Sequence, residues 1–196
     1  HLGLLYLPEL GGALLTALAL GLVLNKRQLH YFPLVGMAFL AAGIAVFRVQ
    51  VPPSAGLALV GSGLTGIGLG AAVAPALFVA GFSLEASSLQ RVFAIVELFR
   101  AVAAFMIAPL FAHFAATVGG SVAVGTGIAL WIGFGLAVAG ALSAVGLYLL
   151  GGARPQKPDL ERFLDGDGPA WYSPPLLAAV RARLARQALA EEPARL

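Results

Sequence analysis

Residues 55–82 read AGLALVGSGLTGIGLGAAVAPALFVAGF, a run without a charged residue in which glycine recurs every two or three positions from Gly61 to Gly70. A helix rises 1.5 Å per residue, so this run is long enough to cross a hydrocarbon core of about 30 Å. A helix at the surface of a soluble protein would carry one apolar stripe and a polar opposite face. Here every face is apolar, which predicts a membrane-spanning helix. Its small residues also predict close neighbours, because a helix that lacks bulk lets another backbone approach.

Working outward, comparable runs occupy about 2–24 and 31–49 on one side and about 92–117 and 122–150 on the other. The breaks between them are short. Residues 25–30 are polar and basic, Pro52 and Pro53 withdraw backbone donors and push the residue before them out of helical geometry, and Gly119-Gly120 offers a tight turn. Ser54 is placed to cap the run that follows it. The expected fold class is all-α: a polytopic membrane protein with a bundle of about five transmembrane helices over 1–150 and a tail over 151–196. The lipid bilayer is its first expected partner.

Composition supports this reading. Hydrophobic residues make up 60% of the chain and charged residues 11%, against roughly 45–50% and 25% in ordinary soluble domains. The net charge of +3 comes from residues concentrated in the short loops and the tail, so no nucleic-acid partner is expected. Cysteine is absent, which excludes disulfides and thiolate metal sites. The chain opens at His1 directly into an apolar run, without a basic leader region, and so reads as a fragment of a longer protein.

Lysine and arginine set the orientation. Lys26 and Arg27, Arg91, and the tail residues Arg154 and Lys157 fall on one side of an alternating five-span topology, and only Arg48 falls on the other. The basic side is expected in the cytoplasm, with the tail. That tail carries Arg154, Pro155, Lys157, Asp159, Glu161 and Arg162 and is expected to be solvated. After Ser173, Pro174 and Pro175, residues 176–191 predict an amphipathic helix with Leu176, Leu177, Val180 and Leu184 on one side.

Few residues can carry chemistry. His1, His30 and His113 have no neighbours at metal-ligand spacing, and no serine lies in a nucleophile elbow. Asp165-Gly166-Asp167-Gly168 lacks the later acidic ligands of a calcium loop. No enzyme, metal or cofactor is expected. The informative charges are Glu97 and Arg100, three residues apart inside the fourth run and able to pair on one helix face. Ionised groups at that depth usually face a wet cavity or protein. A structural ion pair locking two helices is the alternative. Glu9, Ser62 and Thr65 complete the polar inventory of the first and third runs. Gly66 and Gly70, with Pro75 nearby, suit either tight packing or a helix that bends during transport.

The run Gly61-Ser62-Gly63-Leu64-Thr65-Gly66-Ile67-Gly68-Leu69-Gly70 with Pro75 resembles the glycine-rich late helix of drug:proton antiporters in the major facilitator superfamily. Ser87-Ser88-Leu89-Gln90-Arg91 and Leu98-Phe99-Arg100-Ala101-Val102-Ala103-Ala104 resemble the helix that follows it there. Arg100 matches that helix's arginine, while Ala103 and Ala104 stand where the family has a glycine pair. The resemblance covers residues 2–150 and implies the last five helices of a transporter whose N-terminal helices are missing from this chain. In that fold the first, third and fourth helices border the central cavity.

The function this implies is secondary active transport of a small molecule, as proton-coupled efflux across a bacterial inner membrane. Glu97 would handle protons and Arg100 would be its partner, with Glu9, Thr65 and Ser62 along the pathway. The rival reading is a membrane scaffold or anchor with an interaction tail.

Overall fold

The computed structural model describes residues 2–49, 54–84, 86–118, 120–150, 156–166, 168–171 and 186. Among them there is no strand. The helices are α1 (Leu2–Val23), α2 (Phe32–Val49), α3 (Ala55–Phe82), α4 (Ala86–Thr117), α5 (Val122–Leu150) and the short α6 (Leu160–Leu164), with a 3-10 turn at Arg27–Tyr31 between α1 and α2. The first five are long and apolar enough to cross a membrane. The fold is therefore all-helical, and the chain fits an integral membrane protein.

Local chemistry sets several boundaries. Ser54 has extended backbone and its Oγ accepts from the Leu57 N–H at 3.4 Å, capping α3 as expected. Gly120 turns the chain into α5 with φ of 71°, a left-handed value that suits glycine, and Ser121 Oγ then accepts from the Val124 N–H. The fourth span starts earlier than its apolar run: α4 begins at Ala86 instead of about 92. Residues 88–91 are its first turns, since serine, glutamine and arginine tolerate a helix that emerges into polar surroundings. With 32 residues, α4 is about 48 Å long.

The interior of the span region is made of small residues. Two faces of α3 carry them. Gly63, Gly66 and Gly70 meet α1, and a β-carbon at Gly66 or Gly70 would collide with the Glu9 carbonyl or the Thr16 hydroxyl respectively. On the other face Gly61, Thr65, Gly68 and Ala72 meet α2, where a β-carbon at Gly43 would stand 2.6 Å from Thr65 Oγ1 and one at Gly68 would stand 2.5 Å from the Leu40 nitrogen. α3 is thus sandwiched between α1 and α2 at backbone contact, and Pro75 on it is fully buried. α5 packs on α2, and α4 packs on α5 through Gly125, where a β-carbon would lie 2.5 Å from the Ala115 carbonyl oxygen. Lipid tails are as apolar as leucine, so packing and not the hydrophobic effect must hold such helices together.

The cluster of large buried apolar side chains lies elsewhere, at the end of the bundle that carries Lys26 and Arg27. It joins Leu20 of α1, Leu29 of the turn, Phe82 of α3, and Ala170 and Trp171. Residues 156–166 and 168–171 reach it by folding back as a strap. The Ala170 N–H donates to the Phe82 carbonyl at 2.8 Å, the Asp159 N–H donates to the Ala170 carbonyl at 2.9 Å, and the Trp171 indole N–H donates to Ser83 Oγ. Asp159 caps α6 by accepting from the Arg162 N–H. Along this stretch the charged Lys157, Asp159, Glu161 and Arg162 are exposed, whereas the apolar Ala170 and Trp171 are buried, at 4% and 6% exposure. The expected helix at 176–191 falls outside the described residues, apart from the helical Arg186.

Candidate functional site

The strongest polar feature of the span region is on α4. Arg100 Nη2 lies 2.7 Å from Glu97 Oε2, and Arg100 Nε donates to the same oxygen at 2.9 Å. Both nitrogens thus converge on one carboxylate oxygen, instead of the parallel two-oxygen fork that arginine and carboxylate often form. Glu97 and Arg100 lie within about 7 Å of the α4 midpoint, taking 1.5 Å per residue. At that depth water does not solvate a charge for free.

The described residues leave the pair uncovered. The Arg100 and Glu97 side chains are 64% and 48% exposed. Around them, residues 94–110 are exposed throughout. Along the Glu97 face the helix continues through Ala101, Ala104 and Ala108, at offsets of four, seven and eleven residues. These small side chains leave room beside the carboxylate for another backbone or for a solute.

The other candidates lie in a different part of the packing. Glu9 sits on the α1 face that meets α3, and its carbonyl lies over Gly66. Ser62 is 6% exposed within α3. Thr65 turns toward α2, where its hydroxyl donates back to the Gly61 carbonyl at 2.8 Å and lies beside Gly43. Extensive packing links α3 to α1 and to α2, α2 to α5 and α4 to α5, and none joins α4 to α1. The elbow where Phe93 lies over Gly81 is the place where α3 and α4 touch closely. The structure therefore brings Glu97 to Arg100, but it does not gather Glu9, Ser62 and Thr65 around them. Gly66 and Gly70 share the α1-facing side of α3, where their absent side chains set the helix separation.

A second polar cluster was not apparent from residue spacing. In the 3-10 turn, His30 is 8% exposed. Its ring lies 4.6 Å from the Trp171 ring and 6.2 Å from the Tyr148 ring, and Tyr148 donates its hydroxyl hydrogen to the His30 carbonyl at 2.8 Å. The imidazole Nε2 is buried without a hydrogen-bond partner among the described residues. The available signal was Trp171 itself, a large aromatic in an otherwise polar tail. No group of three or more potential metal ligands occurs among the described residues.

Fold and site together define the class: an all-helical chain with, among the described residues, five helices able to span a bilayer and one uncovered ion pair inside them. No family model, curated protein or solved structure matches the chain.

Proposed function

We propose that the chain is part of a secondary active transporter that exports a small molecule with proton coupling. The observation that carries this reading is the Glu97–Arg100 pair on a face of α4 that the described residues do not cover. Leaving an ionised side chain against lipid near the bilayer centre costs about 3 kcal/mol or more. Such a face must border water, a solute or further protein. Further helices of the same transporter would complete a wet pathway along it, with Ala101 and Ala104 leaving space for the solute.

Within that pathway Glu97 exchanges the proton and Arg100 is its counter-ion. A carboxylate in low-dielectric surroundings binds a proton more readily when a neighbouring cation moves away. A solute that draws Arg100 aside would leave the Glu97 carboxylate without its counter-ion. The resemblance to drug:proton antiporters supports the same assignment, with a bacterial inner membrane as the site and the Lys26–Arg27 end in the cytoplasm. The experiment is proton-driven flux through the full-length protein in vesicles, wild type against Glu97→Gln. Loss of pH-driven flux with the protein still folded is expected. Wild-type flux in a folded Glu97→Gln protein removes the proton role.

A further inference from the structure

We propose that residues 156–166 and 168–171 form a proton-released latch across the Lys26–Arg27 end of the bundle, docked while His30 is neutral and displaced when its imidazole takes up a proton. The geometry sets up this linkage. Trp171 closes over His30 and Phe82 and hydrogen-bonds Ser83 at the end of α3. Docking therefore ties the α1–α2 turn to the end of α3. Tyr148 separately joins α5 to that turn by donating to the His30 carbonyl.

The imidazole is buried by the latch it holds. Nε2 of the ring is buried and has no hydrogen-bond partner among the described residues. A proton on it would place a charged N–H in the cluster with no acceptor among those residues, which is more costly than leaving a lone pair unused. Tyr148 on α5 is the titratable side chain in ring contact with His30, and Tyr31 follows on the same turn. The turn residues Lys26 and Arg27 and the strap residues Lys157, Asp159, Glu161 and Arg162 are all exposed. The described residues provide no carboxylate ion pair to the ring. The Trp171 face would attract an imidazolium, but a cation–π contact offsets only part of the desolvation of an unpaired cation.

The pH direction follows. Burial pushes the His30 imidazole below its ordinary value, and the Gln156 hydrogen bond opposes this with a smaller effect. A lowered value when docked means docking is fully favoured above the undocked value, about 6.5 for free histidine. Docking then weakens as pH falls through and below that value. The latch is closed at neutral pH and opens on acidification of its own side of the membrane.

The test uses Trp171 emission in a full-length Trp131→Phe protein reconstituted in nanodiscs, with pH lowered from about 8 to about 5. A red shift and greater quenching by a soluble quencher are expected on acidification, together with a His30 ring titration by NMR at the same midpoint. His30→Gln and His30→Phe, which cannot take up this proton, should hold the emission constant over the range. No change in wild-type emission overturns the latch. So does a His30 midpoint separate from the Trp171 transition, or the same transition surviving in either variant.

Discussion

The carbonyl of Glu9 lies against the α-carbon of Gly66, so close that a β-carbon there would overlap it. This contact fixes the separation of α1 and α3, and it turns a sequence motif into a measurable constraint.

Gly66→Ala should therefore lower the melting temperature in detergent. Forcing a methyl group into packed backbone typically costs about 1–3 kcal/mol. Gly135 on α5, where a β-carbon would meet nothing within 4 Å, is the control. Gly135→Ala should be neutral or stabilising by up to about 1 kcal/mol, because alanine favours the helix. Equal melting temperatures for the two variants would contradict the close approach of α1 and α3.

Arg100→Gln and Glu97→Gln should each lower expression and thermal stability, since each strands the partner charge inside the membrane. Removing both should restore much of the loss if the pair is mainly structural. Flux separates the roles. In the proposed transporter the double variant regains stability and stays inactive in pH-driven transport.

Trp171→Ala should release the strap without unfolding the spans. Deleting a buried tryptophan costs about 3 kcal/mol or more, which raises the undocked population on the order of a hundredfold. Trypsin cleavage after the exposed Arg162 should accelerate accordingly, while the helical circular dichroism of the five long helices is unchanged. Cleavage at the wild-type rate would mean that Trp171 does not hold the strap.

Orientation can be read by single-cysteine labelling, because the chain contains no cysteine. Ser121→Cys, in the exposed turn between α4 and α5, should react with an impermeant maleimide added to intact cells. Arg27→Cys should react only after permeabilisation. The reverse pattern would invert the assigned orientation.

How legible all this was depends on which force placed each residue. The apolar runs gave the five long helices, because bilayer thickness imposes a length that hydropathy reports directly. The start of α4 was less visible: Ser88, Gln90 and Arg91 read as loop residues although a helix that continues beyond the hydrocarbon accepts them. Gly66 and Gly70 announced a close contact, but spacing does not say which helix fills it, and α1 proved to be the partner. Thr65 carried a polar group into the span without indicating its direction, and it turns toward α2. The pairing of Glu97 with Arg100 followed from a three-residue helical offset. The Trp171–His30 contact did not, because its residues are far apart in sequence and only folding of the strap brings them together.

The bundle's large buried side chains are collected at one end, around Trp171, Phe82 and Leu29, while glycine and alanine line the spans. These two regions should differ in their calorimetric behaviour. Exposing the aromatic end to water raises the heat capacity, whereas separating glycine-lined helices within lipid exposes little to water. Hydrophobic association weakens on cooling, so the strap should loosen toward low temperature while the glycine seams between α1, α2 and α3 hold. The same protein would then be cold-sensitive at its aqueous end and cold-tolerant within the membrane.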